Sequence, residues 1–239
     1  MRDELVPSCG CQTAGFVASY HEWRNSSAPA LRNERIPPQF VGARLAVHPL
    51  ADIPKMSDQY LKGQLLLDGG NLRGSFFHRT VVLICQHDAE GAFGLVLNRS
   101  SGSTVGEMLV ADLPERVKEQ ALFLGGPVQP GALSFLISED YLPEANVMQN
   151  LHMSHSLDEL AELGESFSPT RRLRLFAGYA GWSPGQLEDE MRRQSWLTHT
   201  ASLDLVFHTE PEQLWKQILR EKGWKYRLLA ESPEDLSSN

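Results

Sequence analysis

The chain has 239 residues, 41% apolar and 22% charged, enough to bury a core as one large domain or two small ones. Its formal charge of −8 and pI of about 5.5 exclude a general basic footprint for nucleic acid or an anionic membrane. Three cysteines make no disulfide framework, and no apolar run approaches the ~20 residues that span a bilayer.

Residues 1–59 scatter Ser, Asn, Pro and Arg without a sustained period, and Ile36-Pro37-Pro38 interrupts any helix. They read as an extension, partly disordered or packed as an arm, ahead of one domain over residues 60–239. A metal-site reading of this stretch would take Cys9, Cys11, His21 and Glu22 as ligands. Cys-x-Cys lacks the usual spacer and no second pair follows, so no metal and no cofactor are expected. The mixed charge of Met1-Arg2-Asp3-Glu4, with no apolar segment after it, predicts no signal peptide and a reducing cytoplasmic setting.

From residue 61 the pattern tightens. A short strand is expected over 64–67, then the strongest feature of the chain, the hairpin TVVLICQH-DAEG-AFGLVLN over 80–98. Val81, Leu83 and Cys85 alternate with Val82 and Ile84. Phe93, Leu95 and Leu97 alternate with Gly94 and Val96. Strands apolar on both faces are covered on both faces, so this pair belongs in the middle of a sheet. Asp88-Ala89-Glu90-Gly91 is its turn.

Residues 100–103 read as a polar loop. Thr104-x-x-Glu107 opens a short helix through Met108, Leu109 and Leu113. Strands follow at 121–124 and 132–138, then an irregular stretch at 140–154. Ser156-x-x-Glu159 opens a helix that Gly164 stops. A strand at 173–177 exits through Gly178-Tyr179-Ala180-Gly181-Trp182. Ser183-Pro184-Gly185-Gln186 reads as a capped helix start. A strand is expected at 202–207, then a helix from Thr209-x-x-Glu212 with Gly223 as its stop, and a polar tail over 231–239. Strands and helices mix without regular βαβ spacing. The expected fold is α+β, a compact domain with mixed, mostly antiparallel coiled sheets and short peripheral helices.

Gly181-Trp182-Ser183-Pro184-Gly185 matches G-x-S-x-G, and Asp204 and His208 follow in hydrolase order. The oxyanion hole of that class uses the N–H of the residue after the serine, and Pro184 has none, so Ser183 reads as a cap. His152 and His155 read as solvated, and His87 as a satisfied histidine beside the hairpin. No helix-turn-helix is evident, and the helix after Ser183 is acidic where it would meet phosphate.

HRTVVLICQHDAEGAFGLVLNRS, then LFLGGPVQPG, then LFAGYAGWSPGQLEDE and a closing SPEDLSSN resemble the bacterial YqgE/AlgH family over residues 61–239. The resemblance implies a compact α+β fold with coiled sheets, a cytosolic location and no established catalytic activity. The family's name reflects a proposed role in transcriptional regulation of exopolysaccharide production.

Three strand exits carry glycine beside a polar or aromatic residue: Asn98-Arg99, Gly125-Gly126 and Gly178-Tyr179, the last followed by Trp182. On one shared rim these seven would form a ligand site. Open N–H groups and Arg99 would bind, and Tyr179 and Trp182 would wall the cleft. Such a rim suits a small anion or the acidic tail of a protein partner. The expected function is a non-enzymatic regulatory or binding module, with no catalytic residue, no direct DNA binding and no membrane. The alternative is a hydrolytic or phosphate-handling enzyme working near Asn98 and Gly125.

Overall fold

The computed structural model describes residues 60–166 and 168–232. Contacts divide the chain into Met1–Ala51 and Asp52–Asn239, and the described residues all belong to the second unit. The expectations for residues 1–59, including Cys9, Cys11, His21 and Glu22, lie outside the described residues.

Strand β1 (Gln64–Asp68) precedes the hairpin β2 (Val81–Asp88) and β3 (Gly91–Val96). Asp88 faces Gly91 across the turn, where the Glu90 N–H donates to Asp88 Oδ1 at 2.9 Å. Gly91 has φ +129°, a conformation L side chains avoid. Next come β4 (Ser100–Thr104), α1 (Val105–Met108), α2 (Glu115–Lys118), β5 (Ala121–Leu124), β6 (Val128–Ser138), β7 (Leu151–Ser154) and α3 (Leu157–Glu165). The chain continues through β8 (Arg172–Trp182), α4 (Gln186–Arg192), β9 (Trp196–Thr200), α5 (Leu203–Phe207), α6 (Pro211–Glu221) and α7 (Trp224–Glu231).

The sheet order is β4-β5-β8-β3-β2-β1-β9, with β6 pairing β8 and β7 pairing β6. Only β5 and β8 pair in parallel; the other ladders are antiparallel. The α+β, mostly antiparallel expectation therefore holds. Strand β8 joins two halves: its end pairs with β3, and its earlier part runs between β5 and β6.

The two-faced hairpin creates two cores. Val81, Leu83, Cys85, Leu95 and Leu97 pack under α5, α6 and α7 with Leu205, Leu214, Trp215 and Ile218. Val82, Ile84 and Val96 pack on the other face with Leu187 of α4 and Trp196, joined by Phe76 and Phe77. Each fully buried Val or Leu contributes about 1.5–3 kcal/mol relative to exposure, which makes the hairpin the anchor of both layers. A third core joins β5, β6 and β8 to α1, α2 and α3 through Val105, Val117 and Leu160.

Several elements differ from expectation, each for a physical reason. Residues 100–103 are an edge strand rather than a loop, because β5 supplies the ladder that a polar serine run does not advertise. The irregular stretch 140–154 ends in β7, whose outer edge Asn146 closes by donating to and accepting from the Met153 backbone, both at 2.8 Å. Residues 203–207 are helix, not strand. The Ser202 hydroxyl accepts from the Leu205 N–H at 3.3 Å, and Leu203 and Phe207 meet the first core one turn apart. Over five residues, alternate apolar positions fit either period. Strand β8 runs on past Ala177 to Trp182, with Gly178 at φ +69° inside it.

Candidate functional site

Asn98 completes the central ladder with its side chain. Beyond Leu97, whose N–H donates to the Val81 carbonyl, the chain turns away from β2 toward β5. Asn98 Oδ1 accepts from the Val81 N–H at 2.8 Å, and Nδ2 donates to the Arg79 carbonyl at 2.9 Å. The amide stands in for the next peptide of the strand.

Two guanidinium groups reach backbone carbonyls of this corner from opposite faces of the sheet, Arg99 on the side of the second core and Arg174 on the side of the first. Arg99 lies over the Phe76 ring, 5.0 Å from its centroid, and Nη2 donates to the His78 carbonyl at 3.1 Å. Its Nε is buried without a hydrogen-bond partner. Arg174 projects from β8 across the Phe123 ring at 4.7 Å, and Nη1 donates to the Leu97 carbonyl over a long 3.4 Å. Arg174 is only 9% exposed. Burial lowers its pKa, partly offset by the field of Glu210 at the head of α6. Neither arginine forms an ion pair among the described residues. A guanidinium carries five N–H donors, so both have binding capacity to spare.

The other expected residues lie elsewhere. Gly125 is woven into the sheet: its N–H donates to the Ala177 carbonyl and its carbonyl accepts from the Val96 N–H, both at 2.8 Å. A Cβ on Gly126 would stand 2.0 Å from the Tyr179 carbonyl carbon, and one on Gly178 would stand 2.6 Å from the Gly126 carbonyl oxygen. These glycines let two backbones cross at contact distance. Tyr179 stacks on Phe93 at 4.9 Å beside the first core, and burial raises its pKa. Trp182 belongs to the second core, where Glu190 Oε2 accepts from the Trp182 and Trp196 indoles at 2.9 and 2.8 Å. The seven residues therefore divide among a corner, a crossing and two opposite core faces, and Tyr179 and Trp182 share no cleft.

The catalytic motifs fall to structural roles. Helix α4 starts at Gln186, after Gly185 at φ +76°, so Ser183 is not the N-cap. Its N–H and hydroxyl both donate to Gln186 Oε1, at 3.1 and 3.3 Å. His208 pairs with Asp204 at 2.8 Å on α5, a helix of the first core, whereas Ser183 leads into α4 on the opposite face. That placement separates the three members of a triad. His87 leaves the Cys85 face because a bulge between Ile84 and Gln86 turns it toward α4. There Nδ1 accepts from the Leu61 N–H at 2.9 Å and Nε2 meets Glu188 at 3.1 Å. Cys85 is buried and its thiol pKa is raised by that burial, so it is inert packing. His155, expected in solvent, is half-buried against Phe93 and 2.9 Å from the buried Ser134 hydroxyl, with a pKa lowered by burial. Among the described residues no group of three His, Cys, Asp or Glu is placed to hold a metal, and no helix is long and apolar enough to cross a membrane.

Sequence reading missed Arg174. The one available signal is a cation at an alternate position of the otherwise apolar run LRLF, whose face becomes clear only when Phe123 and Leu97 are in place.

The chain is similar to known proteins in sequence and in fold. A protein of the UPF0301 group from Chlorobium luteolum is 38% identical over 175 residues, covering 72% of this chain and 91% of that protein. One from Methylococcus capsulatus is 36% identical over 166 residues, 67% of this chain and 91% of that one. The solution structure of the AlgH protein from Pseudomonas aeruginosa aligns with a TM-score of 0.59 at 30% identity, covering 76% of this chain and 98% of that one. A Corynebacterium diphtheriae protein shares the fold at 22% identity, with a TM-score of 0.59 over 72% of this chain and 92% of that one. The AlgH-like family profile matches residues 65–227, the span that holds the hairpin, the crossing and the arginine corner, and the chain belongs to that family.

Proposed function

We propose that this protein is a cytosolic, non-catalytic binding module of regulatory type that holds an anionic group at the arginine corner. The observation that carries this reading is Arg99, whose Nε is buried without a hydrogen-bond partner at the strand corner, with Arg174 reaching the Leu97 carbonyl from the side of the first core. Arg99 donates to the His78 carbonyl and Arg174 to the Leu97 carbonyl; neither forms an ion pair among the described residues, and Glu210 acts on Arg174 only through its field, in a chain of net charge −8. A buried N–H donor left without an acceptor is costly, and an arriving phosphate or carboxylate relieves that cost while forming charge-assisted hydrogen bonds. Of the seven expected site residues, Arg99 supplies the charge and Asn98 holds the corner in shape. The glycines, Tyr179 and Trp182 support the reading only by fixing the strands behind it. Regulation would then run through the bound ligand or acidic partner rather than through direct DNA binding.

The test is a titration of wild type with inorganic phosphate, nucleotides, dicarboxylates and an acidic peptide, followed by backbone amide NMR. At least one class should shift the amides of Val81, Asn98 and Arg99. Arg99→Ala should weaken that ligand by about tenfold or more, the loss of one charge-assisted hydrogen bond. A panel that leaves these amides unmoved sinks the proposal.

A further inference from the structure

We propose that the outer face of α7 is a docking surface for an acidic, amphipathic helix of a partner protein. Trp224 and Leu228 stand one helical turn apart and are 76% and 65% exposed. The opposite side of the helix is already occupied: Ala230 is buried in the first core, with Tyr226 and Leu229 packed against it. The helix is also firmly held. Arg220 donates to Glu231 Oε1 through Nε at 2.9 Å and Nη2 at 2.7 Å, and Arg227 Nε donates to the Arg220 carbonyl at 2.9 Å. An indole and an isobutyl group displayed on an ordered helix make the kind of anchor that interfaces bury, since Trp dominates binding hot spots.

The charges around this ridge identify the occupant. The chain as a whole carries −8, yet α7 places Lys225 and Arg227 on either side of the ridge, and its Glu231 is taken up by Arg220. Lys225 and Arg227 are exposed beside the ridge and form no ion pair among the described residues. A complementary partner places an apolar stripe on Trp224 and Leu228 and carboxylates on Lys225 and Arg227. A lipid surface fits less well. Two side chains over one turn bury too little to hold a bilayer, and the net charge opposes anionic lipid. Duplex DNA fits less well again, because strong binding neutralises many phosphates and this face offers few cations.

The probe is a short labelled peptide with Leu on one helical face and Glu elsewhere, measured by fluorescence anisotropy. A scrambled peptide of the same composition, phosphatidylglycerol vesicles and a duplex DNA fragment serve as alternatives. Wild type should prefer the amphipathic peptide to the scrambled one by about tenfold or more. Trp224→Ser and Lys225→Glu should each remove that preference without changing the melting temperature, since both positions are exposed. Peptide binding should move α7 amides and leave those of Asn98 and Arg99 in place, which separates this surface from the arginine corner. Equal binding of both peptides, or peptide binding that survives Trp224→Ser, overturns the proposal. So does Trp224-dependent binding to vesicles or DNA in preference to the peptide, which would reassign the ridge.

Discussion

The glycine crossing and the arginine corner look alike in the sequence and differ in the folded chain. Both are places where a strand ends in small or polar residues beside the same pair of strands, β3 and β5. At the crossing, Gly125, Gly126 and Gly178 are approached by the chain's own backbone, and their missing side chains are filled space. At the corner, Asn98 replaces a peptide with an amide, and two arginines arrive with donors left over. Glycine at a strand exit signals a close approach. It does not say whether a ligand or another strand makes it.

The largest effect should come from filling the crossing. Gly126→Ala puts a methyl 2.0 Å from the Tyr179 carbonyl carbon, with only backbone available to yield. A loss of more than ~3 kcal/mol is expected in urea denaturation. A loss below ~1 kcal/mol would show that the strands can part, and would reopen the crossing as a ligand approach.

At the corner, Asn98→Ala removes the acceptor of the Val81 N–H and the side-chain donor to the Arg79 carbonyl. The expected cost is ~2–4 kcal/mol, and Asn98→Asp should recover part of it by keeping the acceptor. If Asn98→Ala costs less than ~0.5 kcal/mol, water replaces the amide. Asn98 would then belong with the ligand groups.

The smallest effect is the part of the pH dependence that His155 contributes on the crossing side. His155 packs against Phe93, which stacks on Tyr179, and burial lowers its pKa below the ordinary value of about 6.5. As pH falls, the unfolded chain takes up the proton first. Stability is therefore full above about pH 6.5 and declines toward the lower folded value. Burial and Lys222 lower His199 in the same direction, so the informative quantity is the difference between wild type and His155→Gln. The variant should show a shallower decline between about pH 7.5 and pH 5. Parallel curves would remove His155 as the source.

The predictable parts were local. The hairpin strands up to Cys85, the Asp-Ala-Glu-Gly turn, the strand at 121–124 and the Ser156 cap follow from alternation, turn chemistry and short-range capping, all set within a few residues. The edge strands β4, β7 and β9 have weak patterns because partners rather than apolar alternation hold them. Helix α5 was ambiguous because a short apolar segment fits both periods. Of the expected site, Arg99 and Asn98 were legible as polar groups at the edge of a buried hairpin. Arg174 was not, because its neighbours come from strands far away in sequence.

What the amino-acid order determined alone is the two-faced hairpin, and with it a central pair of strands and two covering layers, because alternation leaves each face no alternative to burial. Motif order also carried the family. Only the tertiary structure decided where polar groups end up. A bulge sends His87 to one layer while Cys85 stays in the other, and β8 runs on through Gly178 instead of stopping, so three apparent strand exits become one crossing and one corner. Such choices depend on contacts between residues tens of positions apart, where backbone fit and charge balance are settled only when the strands meet.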